Sequence, residues 1–287
     1  MQSGAWVRTD AYGIARTLAL AVVQADQRVP TVMTIATSDS GGGAGIQADL
    51  KAFARCGVHG TSAIVALTAQ NTREVVSVET LPRQFILDQV RAVAEDIGVD
   101  AVKIGMLFDR STIEAVAEAL DLVGEAPIVL DPVMVAESGA VLLKPEAKQA
   151  LIERIVPRAT VVTPNLGEAR ELTGLGEDAH PEELARAVQA LGASAAVVTG
   201  GHLADGGDRF FDGQTLEVIE GARHPDGASH GSGCTHSSAL AARLALGDSP
   251  LEAAREARRI AGEAVGNGLR GIGSGAGPVD VLGIIGT

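Results

Sequence analysis

The chain has 287 residues, a formal net charge of −13 and an apolar fraction of 46%. This length suits one large α/β domain or two small ones, and the acidic balance argues against nucleic-acid binding, which needs a basic face. No apolar run approaches the length of a membrane span, and the two cysteines, Cys56 and Cys234, are too few for a disulfide framework, so we expect a cytoplasmic protein.

Residues 1–30 form an extension whose composition differs from the rest. They hold the only Trp and the only Tyr of the chain, Trp6 and Tyr12, and a short LALAVV run near Asp10 and Arg16. These flanking charges do not suit a signal peptide. We expect an extra N-terminal helix, or translation from an upstream start codon, and assign this extension no role.

From Thr31 onward, short apolar runs alternate with amphipathic helical stretches. The runs are TVMTIAT (31–37), TSAIVAL (61–67), AVKIGM (101–106), PIVLDP (127–132), TVVTPN (160–165) and SAAVVTG (194–200). The clearest helical stretches are 46–56, 84–97, 111–123 and 181–191, with helix starts expected at Pro82, Asp109 and Pro181 and a helix stop at Gly57. The alternation predicts an α/β fold in which residues 31–287 form one domain, with a mainly parallel central sheet and helices on both faces.

Polar or glycine-rich segments follow each of the six runs. They are SDSGGGAG (38–45), TAQNT (68–72), GML (105–107), DPVM (131–134), PNLGE (164–168) and GGH (200–202). Ligands of such sheets bind beyond the carboxyl ends of the strands. Six such segments on one rim therefore predict a binding site.

The run SHGSGCTHSS (229–238) leads into a further apolar-periodic helix, and this arrangement favours an anion site built from free backbone N–H groups. Asn165 and Glu168 place an amide and a carboxylate on one strand-to-helix turn, and Asp131 adds a second carboxylate on the same rim. These parts suit phosphoryl transfer, which needs an anion cradle and a carboxylate-held Mg²⁺. The alternative for Asn165 and Glu168 is a helix N-cap with its first-turn acid.

Other chemistries fit less well. A Walker A motif is absent, and the GIGSGA stretch at 271–276 lies too close to the end of the chain for a dinucleotide-binding strand–helix unit. His230, Cys234 and His236 lack the second nearby cysteine typical of a zinc site. A Cys–His nucleophile pair cannot be placed from the sequence, because His230 lies in a loop.

The stretch SDSGGGAGIQADLKAFARCGVHGTSAIVALTAQNT, followed in order by KIGML, LDPVM, TPNLGEA, TGGH and HGSGCT, resembles the hydroxymethylpyrimidine/phosphomethylpyrimidine kinases. These belong to the thiamine-synthesis branch of the ribokinase-like superfamily, and the match covers roughly residues 31–280. The resemblance implies a ribokinase-like fold and the use of ATP and Mg²⁺. It also implies phosphorylation of 4-amino-5-hydroxymethyl-2-methylpyrimidine and then of its monophosphate.

Two other functions stay open. The close one is a pyridoxal kinase of the same lineage. The distant one is a binding module without turnover, which is disfavoured because a pure binder needs neither Cys234 nor the Asn165–Glu168 pair. We expect a small-molecule substrate, no nucleic-acid or membrane partner, and a homodimer, although the sequence does not fix the oligomeric state.

The resemblance also implies roles for individual residues. Gln70 would hydrogen-bond the aminopyrimidine, in a pocket shaped by Asp49, Met106, Val133 and the glycines around Gly43. The nucleotide and its Mg²⁺ would be held by Asn165, Glu168, Thr199, Gly200 and Gly201, with Asp131 as a further metal ligand from the rim argument. The anion hole over the transferring phosphate would be formed by Gly231, Gly233 and Cys234.

Cys234 stands where sugar kinases of the superfamily carry an aspartate base. A thiol at a helix N-terminus can have a lowered pKa, so the resemblance implies a thiolate base. The alternative is that Cys234 matters for the fit of the site around the reacting groups, since a loose transition state needs little base assistance.

Two positions depart from the family pattern: Thr37, where the family usually has glycine, and Thr199, where some members have lysine.

Overall fold

The computed structural model describes residues 28–136, 139–201, 203, 206–225 and 227–286. The predicted N-terminal helix, with Trp6 and Tyr12, lies outside these residues, as does His202 of the GGH segment. None of the helices in the described ranges combines the length and apolar character that a membrane crossing requires.

Nine strands and eight α-helices make up the described fold. The strands are β1 (Thr31–Asp39), β2 (His59–Gln70), β3 (Val75–Thr80), β4 (Ala101–Ile104), β5 (Ile128–Leu130), β6 (Val161–Val162), β7 (Ala195–Val198), β8 (Asp208–Phe211) and β9 (Leu216–Ile219). The helices are α1 (Gly45–Cys56), α2 (Arg83–Asp96), α3 (Arg110–Ala119), α4 (Lys148–Arg154), α5 (Leu166–Thr173), α6 (Pro181–Gln189), α7 (Ser232–Ala245) and α8 (Pro250–Gly266).

The strands form one sheet in the order β3-β2-β1-β4-β5-β6-β7-β8-β9. The six strands from β2 to β7 in this order are parallel, while β3 on one side and β8 and β9 on the other pair antiparallel. The six predicted strands are the parallel ones. The antiparallel strands were not predicted.

Both faces of the sheet are covered. Alternate residues of β1 enter different cores: Met33 and Ile35 pack with helices α2 to α6, whereas Val32 packs with α1, α7 and α8. This period-two alternation follows from the geometry of a strand. The predicted mainly parallel sheet with helices on both faces is therefore confirmed.

Several helices also begin or end at the residues that the sequence predicted. Asp109 caps α3 by accepting a hydrogen bond from the Thr112 N–H at 3.0 Å, and Gly57 ends α1 in the left-handed conformation with φ of 77°. Pro82 precedes α2, and Pro181 is the first residue of α6. These boundaries fix where the strands end, and hence which residues reach the rim.

Candidate active site

A cavity of about 460 Å³, here the main cavity, opens at the carboxyl ends of the parallel strands. Its wall brings together side chains from segments that are far apart in the sequence. Of the predicted site residues, those on its wall are Gln70, Met106, Asp131, Val133, Asn165, Glu168, Thr199, Gly231, Gly233 and Cys234. Five of the six predicted rim segments therefore contribute residues to one cavity wall, and the sixth, GGH (200–202), does not.

A second cavity of about 430 Å³, here the second cavity, borders part of residues 230–234, here the anion loop, which also border the main cavity. The two cavities share the residues Asn165, Thr199, Ser229, Ser232 and Gly233. Their common wall includes the first turn of α7, whose N–H groups have no partner within the helix. An anion at this helix start would therefore lie between the two cavities.

Asp39 organises the glycine loop that follows β1. Its carboxylate accepts hydrogen bonds from the N–H groups of Gly41, Gly43 and Ala44 at 2.7–3.1 Å, and its Oδ2 lies 3.1 Å from Nε2 of His230. Burial acts to raise the pKa of Asp39, but these hydrogen bonds outweigh it and hold the pKa below its ordinary value. One carboxylate thus fixes the glycine loop and ties it to the anion loop.

Two glycines allow the glycine loop after β1 to pack closely against the anion loop. A Cβ on Gly43 would overlap the imidazole ring of His230, and a Cβ on Gly231 would overlap the carbonyl oxygen of Gly43. Gly231 also has a φ of 86°, which side chains rarely adopt. Gly43 therefore acts by packing against the anion loop rather than by lining the main cavity.

Asp49 does not reach the main cavity, contrary to the expectation that it shapes the pocket. It is fully buried beneath the site, 2.8 Å from the ammonium of Lys103, and accepts hydrogen bonds from the hydroxyls of Thr34 and Ser238. The reason is that α1 turns this residue toward the sheet, where Lys103 on β4 supplies the opposite charge. Asp49 instead anchors the lysine that does line the cavity.

Lys103 is a site residue that sequence reasoning missed. Burial acts to lower its pKa, but Asp49, Cys234 and Asp131 together outweigh burial and raise the pKa above its ordinary value, so the ammonium stays charged. A cation thus faces a cavity whose wall also carries Asp131. A lysine inside the otherwise apolar run AVKIGM was the available signal, because an unpaired charge is rarely fully buried.

Asn165 and Glu168 form a capping box at the start of α5. The Asn165 side chain accepts from the Glu168 N–H, and the Glu168 carboxylate accepts from the Asn165 N–H, both at 2.9 Å. The capping alternative is therefore realised. Both side chains nevertheless line the main cavity, so capping does not remove them from the site.

The two rim carboxylates are only partly compensated by the groups around them. Burial and then the charge of Asp131 raise the pKa of Glu168 to about 8. Burial also raises the pKa of Asp131, against the opposing effect of Lys103, while its Oδ2 accepts from the Ser237 hydroxyl at 3.0 Å. No group of three His, Cys, Asp or Glu in the described residues could hold a metal by itself. The two carboxylates therefore offer a partial cation site that a bound phosphate would complete.

Cys234 lies in the first turn of α7 on the wall of the main cavity. Burial raises the pKa of its thiol to about 12, with the charges of Asp49 and Asp131 adding to this and Lys103 opposing it. The expectation of a lowered pKa is therefore wrong for the ligand-free protein. Burial outweighs the favourable effect of the helix N-terminus.

The two histidines next to Cys234 point to different partners. Nε2 of His236 lies 3.1 Å from Asp208, a buried carboxylate whose Oδ1 accepts from the Gly200 N–H at 2.8 Å, whereas His230 contacts Asp39. Asp208 and His236 line the second cavity together with Gly201. Gly200 lines neither cavity and has no room for a Cβ, which would overlap the carbonyl oxygen of Gly207.

Thr37, the residue that departs from the family pattern, lines the main cavity and is nearly fully buried. Its hydroxyl donates to the carbonyl oxygen of Met106 at 3.1 Å. The extra side chain therefore ties β1 to the segment after β4. Because its hydroxyl is used in this bond, Thr37 does not offer the cavity a free donor.

Known proteins resemble the chain over most of its length. The family model described as phosphomethylpyrimidine kinase matches residues 39–280. A hydroxymethylpyrimidine/phosphomethylpyrimidine kinase from Rhizobium meliloti is 48% identical over 253 residues, which are 86% of this chain and 95% of the relative.

Solved structures give the same result for the fold. Phosphomethylpyrimidine kinase from Clostridium difficile has a TM-score of 0.72 at 39% identity, covering 83% of this chain and all (100%) of that one. An ADP complex of Bacillus subtilis pyridoxal kinase has a TM-score of 0.82 at 36% identity, covering 90% and 99% of the two chains. The expected ribokinase-like fold is confirmed by these similarities.

Proposed function

Because the chain belongs to the phosphomethylpyrimidine kinase family, we propose that it transfers the γ-phosphate of ATP to 4-amino-5-hydroxymethyl-2-methylpyrimidine, and then to the resulting monophosphate, in thiamine biosynthesis. The observation that carries this proposal is the pair of cavities on either side of the first turn of α7. One cavity would hold the pyrimidine and the other the nucleotide. Their shared wall is where the phosphate would pass.

The main cavity suits a small polar ring. Gln70 is oriented by the Thr68 hydroxyl, which donates to its Oε1 at 3.2 Å and leaves the amide N–H groups available to a ring nitrogen. Met106 and Val133 supply apolar wall on the same cavity. This pattern of one oriented amide and apolar sides is typical of a pocket that reads one edge of a heteroaromatic ring.

Mg²⁺ belongs to the proposal because the donor groups fit it. Asp131 and Glu168 are oxygen donors with raised pKa values on one wall, so a dication would relieve an existing electrostatic cost. Bound there with ATP, the ion would neutralise charge on the phosphates. The amide of Asn165 would contact the same phosphates from the wall that the two cavities share.

The chain's own contribution to the rate would be positioning and electrostatics. The N–H groups of the first turn of α7 would hold the oxygens of the transferring phosphate, with the Lys103 ammonium on the same cavity wall. Thr199 and Gly201 would line the cavity that holds the nucleotide. Cys234, protonated in the ligand-free protein, would contact the attacking oxygen as a hydrogen-bonding group of the right size.

The test is ADP release with the hydroxymethylpyrimidine, its monophosphate and pyridoxal, measured side by side under identical conditions. We expect turnover of both pyrimidines at the expense of ATP. Faster turnover of pyridoxal than of either pyrimidine would favour assignment as a pyridoxal kinase. The structural similarity to Bacillus subtilis pyridoxal kinase supports this second candidate. Binding of pyrimidine without any ADP release would leave only a binding module.

Three further parts of the proposal concern the whole protein. We propose that residues 31–287 are one kinase domain located in the cytoplasm, and that a variant lacking residues 1–29 keeps full activity. We also propose a homodimer, supported by the exposed apolar side chains of Leu67 on β2 and Val76 on the edge strand β3. Analytical ultracentrifugation should show a dimer that Val76→Lys weakens, and a monomeric wild type would overturn the dimer.

A further inference from the structure

A third cavity, of about 300 Å³, adjoins the main cavity and is called here the end cavity. Its wall consists of Gln70, Asn71, Thr72, Arg73, Ala136, His230, Gly275 and Ala276. It shares Gln70, Ala136 and His230 with the main cavity and no residue with the second cavity. The three cavities therefore lie in a row, with the main cavity in the middle.

One part of the end cavity wall, Gly275 and Ala276, comes from the glycine-rich stretch 271–277, which carries the GIGSGA pattern. The Gly275 N–H donates to the Thr72 hydroxyl at 3.2 Å, and a Cβ on Gly273 or Gly275 would overlap Thr72. The His230 N–H donates to the carbonyl oxygen of Gly277 at 3.3 Å. These glycines therefore bring the C-terminal loop against the TAQNT segment that carries Gln70.

The chemistry of two successive transfers requires more room than one. In-line transfer places the attacking oxygen at one position relative to the γ-phosphorus and the anion loop. In the first reaction this oxygen is the hydroxyl of the ring's CH₂OH group. In the second it belongs to the phosphate already attached there, so the ring must lie one phosphate group farther from the anion loop.

The row of cavities gives this displacement a direction. Gly233 and Cys234 of the anion loop lie on the main cavity wall, and Gly233 also borders the second cavity, which is proposed above to hold the nucleotide, whereas Gln70 and His230 border the end cavity. A ring that moves away from the nucleotide therefore moves toward the end cavity. Gln70 borders both positions and can hydrogen-bond the ring in each.

On this basis, which rests on the proposed function, we propose that the end cavity receives the aminopyrimidine ring during the second phosphorylation. An oxygen of the monophosphate forms the new bond to the γ-phosphorus, the bond from that phosphorus to the β–γ bridging oxygen breaks, and ADP leaves with the electron pair. The attacking phosphate oxygen is already ionised, so no proton has to be removed. The end cavity thus separates the two reactions of a single catalytic centre.

The test fills the end cavity and compares the two reactions. Ala276→Leu adds a side chain to its wall, with the smaller Ala276→Val as a graded variant and Ser274→Leu, in the same loop but on neither wall, as the matched control. We expect Ala276→Leu to lower kcat/KM for the monophosphate by at least about tenfold and to change that for the hydroxymethylpyrimidine by less than about threefold. The monophosphate should accumulate in progress curves followed by phosphorus NMR.

Equal losses of kcat/KM for both substrates would overturn the end-cavity proposal. No loss with either Ala276 variant, in a protein whose thermal melt matches that of Ser274→Leu, would also overturn it. The graded Val variant keeps the test valid if the Leu variant fails to fold. Failure of the kinase assignment would look different, because the wild-type protein would then phosphorylate neither pyrimidine.

Discussion

The thiol of Cys234 gives a quantitative test of how this site works. With a pKa of about 12 in the ligand-free protein, only about one thiol in ten thousand is ionised at pH 8. An ordinary cysteine, with a pKa of about 8.5, is roughly one quarter ionised at that pH. Since the thiolate is the form that is alkylated, Cys234 should react about three orders of magnitude more slowly than a free thiol.

The assay is alkylation by iodoacetamide between pH 7 and 10, with modification of Cys234 and Cys56 followed separately by peptide mass spectrometry. The urea-unfolded protein serves as the ordinary-thiol control. The rate at Cys234 should rise about tenfold for each pH unit and show no plateau in this range, because its pKa lies above it. This slope separates a raised pKa from poor access, since an inaccessible thiol of low pKa would react slowly but reach a plateau.

The same reasoning applies to catalysis. Loss of a thiolate general base typically costs about 10²–10⁴ in rate, whereas loss of a protonated thiol that serves as a contact should cost about tenfold or less. We therefore expect Cys234→Ser to retain kcat within about tenfold in steady-state assays. A plateau at or below pH 8 together with a hundredfold fall in kcat would refute the reasoning and restore the thiolate base.

Three other predictions concern residues that line or support the site. Lys103→Met should lower the free energy of unfolding in urea by about 3–5 kcal/mol, because it leaves a fully buried carboxylate without its cation; a change below about 1 kcal/mol would contradict this. Gly43→Ala should abolish pyrimidine binding in calorimetry because its Cβ would overlap the ring of His230, whereas Gly176→Ala, whose Cβ meets open space and whose backbone is not left-handed, should retain binding; the reverse order would be incompatible with the packing described. Glu168→Gln should become more stable than the wild type in urea as the pH rises from about 5 to 8. The raised folded-state pKa means that the contribution of Glu168 to wild-type stability is fully present below the ordinary pKa of 4.5 and is lost as the pH rises through about 8, so a constant difference between the two proteins across this range would contradict the prediction.

Much of the fold could be predicted from the sequence because the parallel strands are buried on both faces. Runs such as TVMTIAT in β1 are nearly continuous in apolar or β-branched residues, and this is the pattern that burial on both faces requires. The edge strands β3 and β9 are short and partly exposed, with Val76 and Leu216 open to solvent, so their sequences carry no such pattern. Their antiparallel pairing depends on neighbours in the sheet.

The site was predictable where it depends on topology and not where it depends on packing. Parallel strands necessarily bring Gln70, Asp131 and Asn165 to one rim, whatever the details of the core. The partner of Asp49 could not be predicted in this way. Asp49 lies on α1 and Lys103 on β4, and the two meet only because α1 docks on the sheet. The pKa of Cys234 depends on that same buried cluster, which local sequence does not reveal.

On the ribosome, the glycine loop at Gly43 emerges long before Gly231, the residue whose backbone packs against it. Until α7 and α8 have docked, Asp39 lacks His230, and the face of the sheet that carries Val32 lacks much of its apolar cover. Such non-local contacts form late and leave partly made chains prone to aggregation. A nascent or C-terminally truncated chain is therefore expected to need chaperone protection, and ligand binding to mark the completion of folding.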